Sequence, residues 1–151
     1  MTRTVVIAIS MVVISTAAAG SVRQQLQRIN PQGLSTPQTY SHVVKAGKLL
    51  FIAGQVGATA DGTVVGPGMK EQTEQVLENL QVALKSQGLD ISHVAKITIY
   101  TTSISEFRAQ EVAAVRAKFF GTNHPASTLV QIQQLASPEY KLEIEAIAVA
   151  P

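Results

Sequence analysis

The chain has 151 residues, of which 46% are apolar, and this suits one globular domain that can bury a core of its own. It contains no cysteine, which excludes thiol catalysis, thiolate metal sites and disulfides. The formal net charge is only +2, so the composition offers no general electrostatic attraction for nucleic acid or for an anionic membrane.

The start of the chain has the pattern of a secretory signal peptide. Arg3 provides a positive start, residues 5–14 form an apolar run, and residues 17–19 are small alanines of the kind that signal peptidases accept. An uncleaved membrane anchor or a buried helix is the alternative. Ser15 and Thr16, however, interrupt the apolar run before it reaches the length of about twenty residues that spans a bilayer.

Cleavage after this segment divides the chain into three parts. Residues 1–20 are the expected signal peptide, and their removal leaves a periplasmic or secreted protein with no membrane attachment. Residues 21–38 are polar and contain two prolines, which favours an extended lead-in, with a short helical turn over residues 22–28 left open. The folded domain is therefore expected over residues 39–151.

The first half of the folded domain reads as a hairpin followed by a helix. Residues 41–46 and 49–53 favour two strands joined at Gly47, which can adopt a positive φ. A helix over residues 69–87 is predicted by apolar side chains at spacings of three and four. Gly88 suits the position directly after its last turn.

The second half alternates strand, helix and two strands. Residues 94–101 alternate polar and apolar side chains, which predicts a strand with two distinct faces. Ser103 and Glu106 fit a capping box at the start of a second helix that ends at Gly121. Two further strands are predicted over residues 128–133 and 141–149.

The resulting order is β-β-α-β-α-β-β, which is typical of an α+β fold with both helices on one face of a sheet. A chain of this length has no further element to cover the other face. That face carries both polar and apolar residues, so we expect it to be covered by self-association.

Five segments follow one another in an order that is typical of one protein family. They are FIAGQV at residues 51–56, QVLENL at 75–80, VAKITIY at 94–100, HPAST at 124–128 and LEIEAIA at 142–148. Together they make the chain similar to the RidA/YjgF family over residues 37–150. The resemblance implies a chorismate-mutase-like fold, a homotrimer, and clefts between subunits that bind a small polar metabolite without a metal or cofactor. It also implies hydrolysis of enamines and imines, such as 2-aminoacrylate, to 2-keto acids and ammonia.

The resemblance assigns the catalytic role to Glu143, at the position of a family glutamate that orients the attacking water. Leu142 and Ile144 point to the other face and are expected in the core, which favours this role. The alternative is an interface carboxylate paired with a base of a neighbouring subunit. Glu145, on the same face, is expected to be structural. Gly54 matches a glycine whose backbone lies against the ligand.

Three more residues are assigned to substrate binding by the resemblance. Tyr40 matches a tyrosine that lines the cleft from across the interface, although a buried tyrosine with a satisfied hydroxyl is equally consistent. Ser127 stands where the family has an arginine that clamps the substrate carboxylate, and Thr128 matches the serine or threonine that follows. Serine offers no charge and no bidentate fork, so carboxylate binding should be weaker, unless Ser127 is only a strand-edge residue. Ala53 stands where the family often has serine.

Three functions are consistent with the sequence. The first is hydrolytic deamination of an enamine or imine, and the second is a non-catalytic, exported trimer that binds a small metabolite. A ribonuclease ranks last because the charge is near zero and few aromatic residues are present to stack on bases, so no nucleic-acid partner is expected.

The histidines His42, His93 and His124 have no metal-ligand spacing and are expected at the surface.

Overall fold

The structure is a computed structural model that describes residues 25–151. The predicted signal peptide at residues 1–20 lies outside the described residues. The strands are β1 (Gln27–Ile29), β2 (Val43–Ala46), β3 (Leu49–Val56), β4 (Val94–Thr101), β5 (Ala126–Gln131) and β6 (Leu142–Val149). The helices are α1 (Met69–Lys85), α2 (Ile104–Phe107) and α3 (Gln110–Phe120), with a single 3₁₀ turn at Ile91–His93.

The six strands form one mixed sheet in the order β1-β2-β3-β6-β4-β5. Among the described strands only the β4–β5 pair is parallel, which requires the crossover that α2 and α3 provide. The α+β fold and the order of the predicted elements are thereby confirmed. The hairpin prediction also holds, since Gly47 joins β2 to β3 with a φ of 61°.

The core lies between the sheet and its helices. Helix α1 packs on β3 and β6, and α3 packs on α1. The buried side chains of the sheet alternate with exposed ones, and on this side they include Leu50, Ile52, Ile97, Ile99, Leu142 and Ile144. We call the opposite side of the sheet, which no described helix covers, the outer face.

Two features differ from the sequence-based expectation. The chain over residues 27–28, where a helical turn was left open, belongs to β1, which pairs with β2 and packs Ile29 against the core. The predicted second helix is two helices, because Ala109 adopts an extended conformation between α2 and α3. Neither glycine nor proline marks that break. The buried side chain of Phe107, with the Arg116 guanidinium 4.1 Å from its ring centre, fixes the corner instead.

Candidate functional site

A bulge in β3 places a glycine beside a carboxylate on the outer face. Ile52 pairs with Ala146 and Gln55 pairs with Ile144, so Ala53 and Gly54 both lie opposite the single residue between those partners. Such bulges re-aim side chains and bend the strand. The bulge therefore interrupts the regular pairing of β3 with β6 at Ala53 and Gly54.

Glu143 occupies the outer face at the end of this bulge. Its neighbours Leu142 and Ile144 are fully buried, so alternation along β6 directs Glu143 away from the core, as predicted. Val56 of β3 and Tyr100 of β4 flank it in the sheet.

Glycine is required at position 54 because Glu143 lies directly against it. A Cβ atom at Gly54 would overlap the carboxylate, Cδ and Cγ of that side chain. The φ of Gly54 is not in the left-handed region, so the requirement is for space and not for backbone freedom. Gly54 and Glu143 are thus brought together, although in the sequence they are 89 positions apart.

Burial raises the pKa of the Glu143 carboxyl, and repulsion by Glu145 on the same face raises it further. Both causes disfavour the charged form, since the first removes water and the second adds a like charge. A carboxyl whose pKa is raised exchanges protons more readily near neutral pH than an ordinary glutamate. The electrostatics therefore suit proton transfer at this side chain.

Tyr40 and Gly54 line one small pocket of about 100 Å³, together with His42, Asn79 and Tyr140. Tyr40 is 53% exposed in the single chain, so it is not a buried tyrosine within its own protomer. Its ring meets that of His42 edge to face, with 5.5 Å between the ring centres. The structure thus brings Tyr40 into the same pocket as Gly54.

Ser127 and Thr128 lie away from Glu143. Thr128 pairs with Thr98, which in turn pairs with Glu145, so Thr128 belongs to the outer face two strands from β6. Ser127 pairs with the buried residue Ile97, and alternation directs it to the helix side of the edge strand β5. Within one chain the structure therefore separates Ser127 from Glu143 and Gly54.

A shallow cleft of about 260 Å³ also opens on the outer face. Its lining includes Phe51, Lys96, Thr98, Glu145 and Ile147. Lys96 Nζ donates a hydrogen bond of 3.1 Å to Thr98 Oγ1. Lys96 was not singled out in the sequence, because only the pairing of β4 with β6, where Lys96 lies opposite Ile147, brings it into the same cleft as Glu145.

His42 and Gln55 are the residues that sequence reasoning missed. The expectation of a surface histidine is wrong for His42, which is only 4% exposed, and Gln55 is 2% exposed. The sequence around His42 does not distinguish it from an exposed histidine. His42 is buried because residues 30–35 and β3, which are distant in sequence or separated by a turn, cover it.

Through their own side chains and helices, the described residues 25–151 meet the requirements neither of a metal site nor of a membrane-spanning helix. They contain no group of three or more histidine or acidic side chains arranged to hold a metal ion. No helix in this part of the chain is both long and apolar enough to cross a bilayer.

Residues 31–150 match the family model described as endoribonuclease L-PSP. The chain is 37% identical over 110 residues to Reactive Intermediate Deaminase A, chloroplastic, of Arabidopsis thaliana, covering 72% of this chain and 57% of that protein. It is 32% identical over 111 residues to the human 2-iminobutanoate/2-iminopropanoate deaminase, covering 73% of this chain and 79% of that protein.

The fold is also that of solved structures. One is Rv2704 from Mycobacterium tuberculosis, a member of the YjgF/YER057c/UK114 family. It superposes with a TM-score of 0.66 at 30% identity, covering 80% of this chain and all of that one.

Proposed function

This chain belongs to the endoribonuclease L-PSP family, that of the RidA/YjgF proteins, and from this membership we propose that it hydrolyses small imines or enamines to a carbonyl compound and ammonia. The observation that carries the proposal is the half-buried Glu143 carboxyl, with its raised pKa, held against Gly54 on the outer face. Two relatives support the same reaction class, one named as a reactive intermediate deaminase at 37% identity and one named as a 2-iminobutanoate/2-iminopropanoate deaminase at 32% identity.

The proposed reaction needs one proton acceptor and one proton donor, and Glu143 supplies both in turn. Its carboxylate takes a proton from water while the water oxygen attacks the carbon of the protonated imine. The resulting carbinolamine receives the proton back on nitrogen, and the carbon–nitrogen bond breaks. The Glu143 carboxylate takes the hydroxyl proton as the carbonyl forms, and the departing ammonia then removes this proton as ammonium, which accounts for the proton that the protonated imine brought. The overall balance is imine plus water to carbonyl compound plus ammonia, and no oxidant or cofactor enters it.

Substrate choice is proposed to differ from that of a 2-imino acid deaminase. Ser127 stands where the family resemblance expects an arginine, and it offers a neutral hydrogen bond in place of a charge-assisted pair. Charge-assisted hydrogen bonds contribute about 1.5–3 kcal/mol against about 1 kcal/mol for neutral ones. We therefore propose that imines without a carboxylate are processed at least as well as 2-imino acids.

The test is ammonia release from an imine generated enzymatically in the assay. The variant Glu143→Gln keeps the shape of the side chain but cannot take a proton, so its rate should fall by roughly a hundredfold or more. The variant Glu145→Gln is the matched control, two residues away on the same face, and it should retain activity at neutral pH. Equal rates for wild type and Glu143→Gln would contradict the proposed function.

A non-catalytic trimer that binds a small metabolite is the second candidate. The position of Ser127 favours it, because the residue carries no charge and lies on the other side of the sheet from Glu143 within one chain. The variant Ser127→Arg separates the two functions. If it creates deaminase activity toward 2-imino acids that the wild type lacks, while the wild type only binds ligands in calorimetry, the binding function is favoured.

A homotrimer with clefts between subunits is part of the proposal. Its support is the outer face, where Leu49, Phe51, Val130 and Val149 leave apolar side chains exposed. A face of this kind on a soluble chain favours association. In a trimer, Tyr40 and Ser127 of one subunit could approach Glu143 of the next.

Export is proposed from the residues before the fold, where Arg3, the apolar run at residues 5–14 and the alanines at residues 17–19 have the signal-peptide pattern. Cell fractionation followed by N-terminal sequencing tests it. The mature chain should be periplasmic or secreted and start near residue 20. A cytoplasmic chain that retains its first residues would contradict it.

A further inference from the structure

Two buried residues, His42 and Gln55, support the bulge that carries Gly54. Gln55 Nε2 donates a hydrogen bond of 2.8 Å to the carbonyl oxygen of Ala53 and lies 3.3 Å from His42 Nδ1. The backbone N–H of Ala53 donates to the carbonyl oxygen of His42 at 2.9 Å. Both backbone groups of Ala53 are therefore tied to His42 and Gln55, directly before Gly54.

The hydrogen bonds determine which nitrogen of His42 carries the proton. His42 Nε2 lies 2.9 Å from the carbonyl oxygen of Ser35, which can only accept, so Nε2 is the donor. Nδ1 of the neutral ring is then an acceptor, and it faces the amide nitrogen of Gln55. The two amide hydrogens of Gln55 are thus divided between His42 and Ala53.

A second proton on His42 is incompatible with this arrangement. It would sit on Nδ1 and point at the NH₂ group of Gln55, so two donors would face each other. Rotating the amide would direct its oxygen to the imidazolium, but the same oxygen would then face the carbonyl oxygen of Ala53. In the first case the hydrogen bond between Gln55 and His42 is lost, and in the second the hydrogen bond from Gln55 to Ala53 is lost.

The surroundings of His42 keep it neutral. Burial lowers its pKa, and the hydrogen bond to Ser35 offsets this only in part. The backbone N–H of His42 donates to Asn30 Oδ1, which is uncharged. The pocket on this side has two other titratable groups, the phenols of Tyr40 and Tyr140, and no carboxylate or ammonium among its described lining residues.

We propose that His42 and Gln55 are positioning residues for the reaction at Glu143, and that protonation of His42 in acid releases the Ala53–Gly54 bulge and switches the site off. The inference rests on the proposed function, since it assigns no chemistry to His42 itself. It makes the site dependent on two protonation states, the ionised Glu143 and the neutral His42.

The structural part is tested by nuclear magnetic resonance on the full chain. The backbone amide of Gly54 should shift with pH in step with the imidazole of His42. Because Glu143 also touches Gly54, the titration is repeated in Glu143→Gln, where the His42 step should remain and the Glu143 step should vanish. A Gly54 amide that loses all pH dependence in Glu143→Gln overturns the proposal.

The functional part is tested by kinetics. The acid limb of kcat/KM should depend on two protons in the wild type and on one in His42→Gln. The variant Gln55→Leu should lower kcat at neutral pH by roughly ten- to hundredfold with little change in KM, because it misplaces groups that still bind substrate. The control Gln72→Leu removes another buried amide and should lose stability while keeping kcat and the two-proton limb.

The outcomes remain distinguishable from failure of the proposed function. If the wild type releases no ammonia from any imine, the proposed function fails, and the Gly54 titration still decides whether His42 controls the bulge. If the wild type is active but Gln55→Leu and Gln72→Leu have the same kcat and pH profile, the positioning role is wrong.

Discussion

Among single residues, Glu143 combines an ordinary backbone position with an unusual environment. Alternation along β6 directs it away from the core, and burial together with Glu145 raises its pKa. The strand alternation was readable in the sequence because Leu142 and Ile144 are apolar. The contact with Gly54 was not, because it depends on a bulge in another strand.

The first prediction concerns the space at Gly54. The variant Gly54→Ala should lower the free energy of unfolding by about 1–3 kcal/mol, the usual cost of overpacking, and reduce kcat/KM as well. The added methyl group would overlap Glu143, so in a Glu143→Ala background the same change should cost much less. Denaturant unfolding of the four proteins of this cycle measures the coupling, and additive costs would contradict the contact.

The second prediction concerns the acid limb of activity. Glu145 raises the pKa of Glu143, so Glu145→Gln should lower it. Since the carboxylate is the proton acceptor, activity should then persist to lower pH than in the wild type. A pH profile of kcat/KM measures the shift. A movement toward higher pH, or none, would show that Glu145 does not act on Glu143.

His42 has a consequence for stability that is separate from activity. Its pKa is lowered in the folded chain, so the unfolded chain binds the proton more tightly. The stability that comes from neutral His42 is full above the ordinary histidine pKa of about 6.5 and is lost as pH falls through the lower folded pKa. In His42→Gln, the free energy of unfolding should therefore fall less steeply below that pH.

Among helices and strands, the elements are positioned by a few buried polar side chains. Gln72 of α1 is fully buried, and its Nε2 donates to the carbonyl oxygens of Gly66 and Glu139 at 2.9 and 2.8 Å. Its Oε1 accepts from the N–H of Lys141 at 2.9 Å. Helix α1 is thereby connected both to the loop before it and to the loop that leads into β6.

The third prediction follows from these three hydrogen bonds. The variant Gln72→Leu removes three part-buried hydrogen bonds, each contributing about 0.5–1.5 kcal/mol, so the unfolding midpoint should fall. The control Gln81→Leu, at an exposed position of the same helix, should leave the midpoint nearly unchanged. Urea unfolding of both variants measures the difference, and equal midpoints would contradict the role of Gln72.

In the molecule as a whole, the outer face is the surface that the proposed trimer would bury. Phe51 is 43% exposed there, beside Ile147 of β6 and Val44 of β2. Burying this surface between subunits would remove apolar area from water and enclose the carboxylate site. The trimer remains a prediction.

The fourth prediction tests this assembly. The wild-type chain should sediment at three times the mass of one chain at micromolar concentration. The variant Phe51→Lys should dissociate, because it would leave uncompensated charge in an apolar interface. Gln81→Lys adds the same charge on the helix side and should stay trimeric. A wild-type monomer would rule out clefts between subunits.

By itself, the sequence determined the class of the fold, the identity of most elements and the side of β6 on which Glu143 lies. These properties follow from local periodicity, turn residues and family motifs, all of which are written in neighbouring residues. Only the tertiary structure decided the β3 bulge, the break at Ala109, the burial of His42 and the separation of Ser127 from Glu143. Each of these depends on which distant segments pair or pack, and strand register and packing across the core are set by contacts that no short stretch of sequence contains.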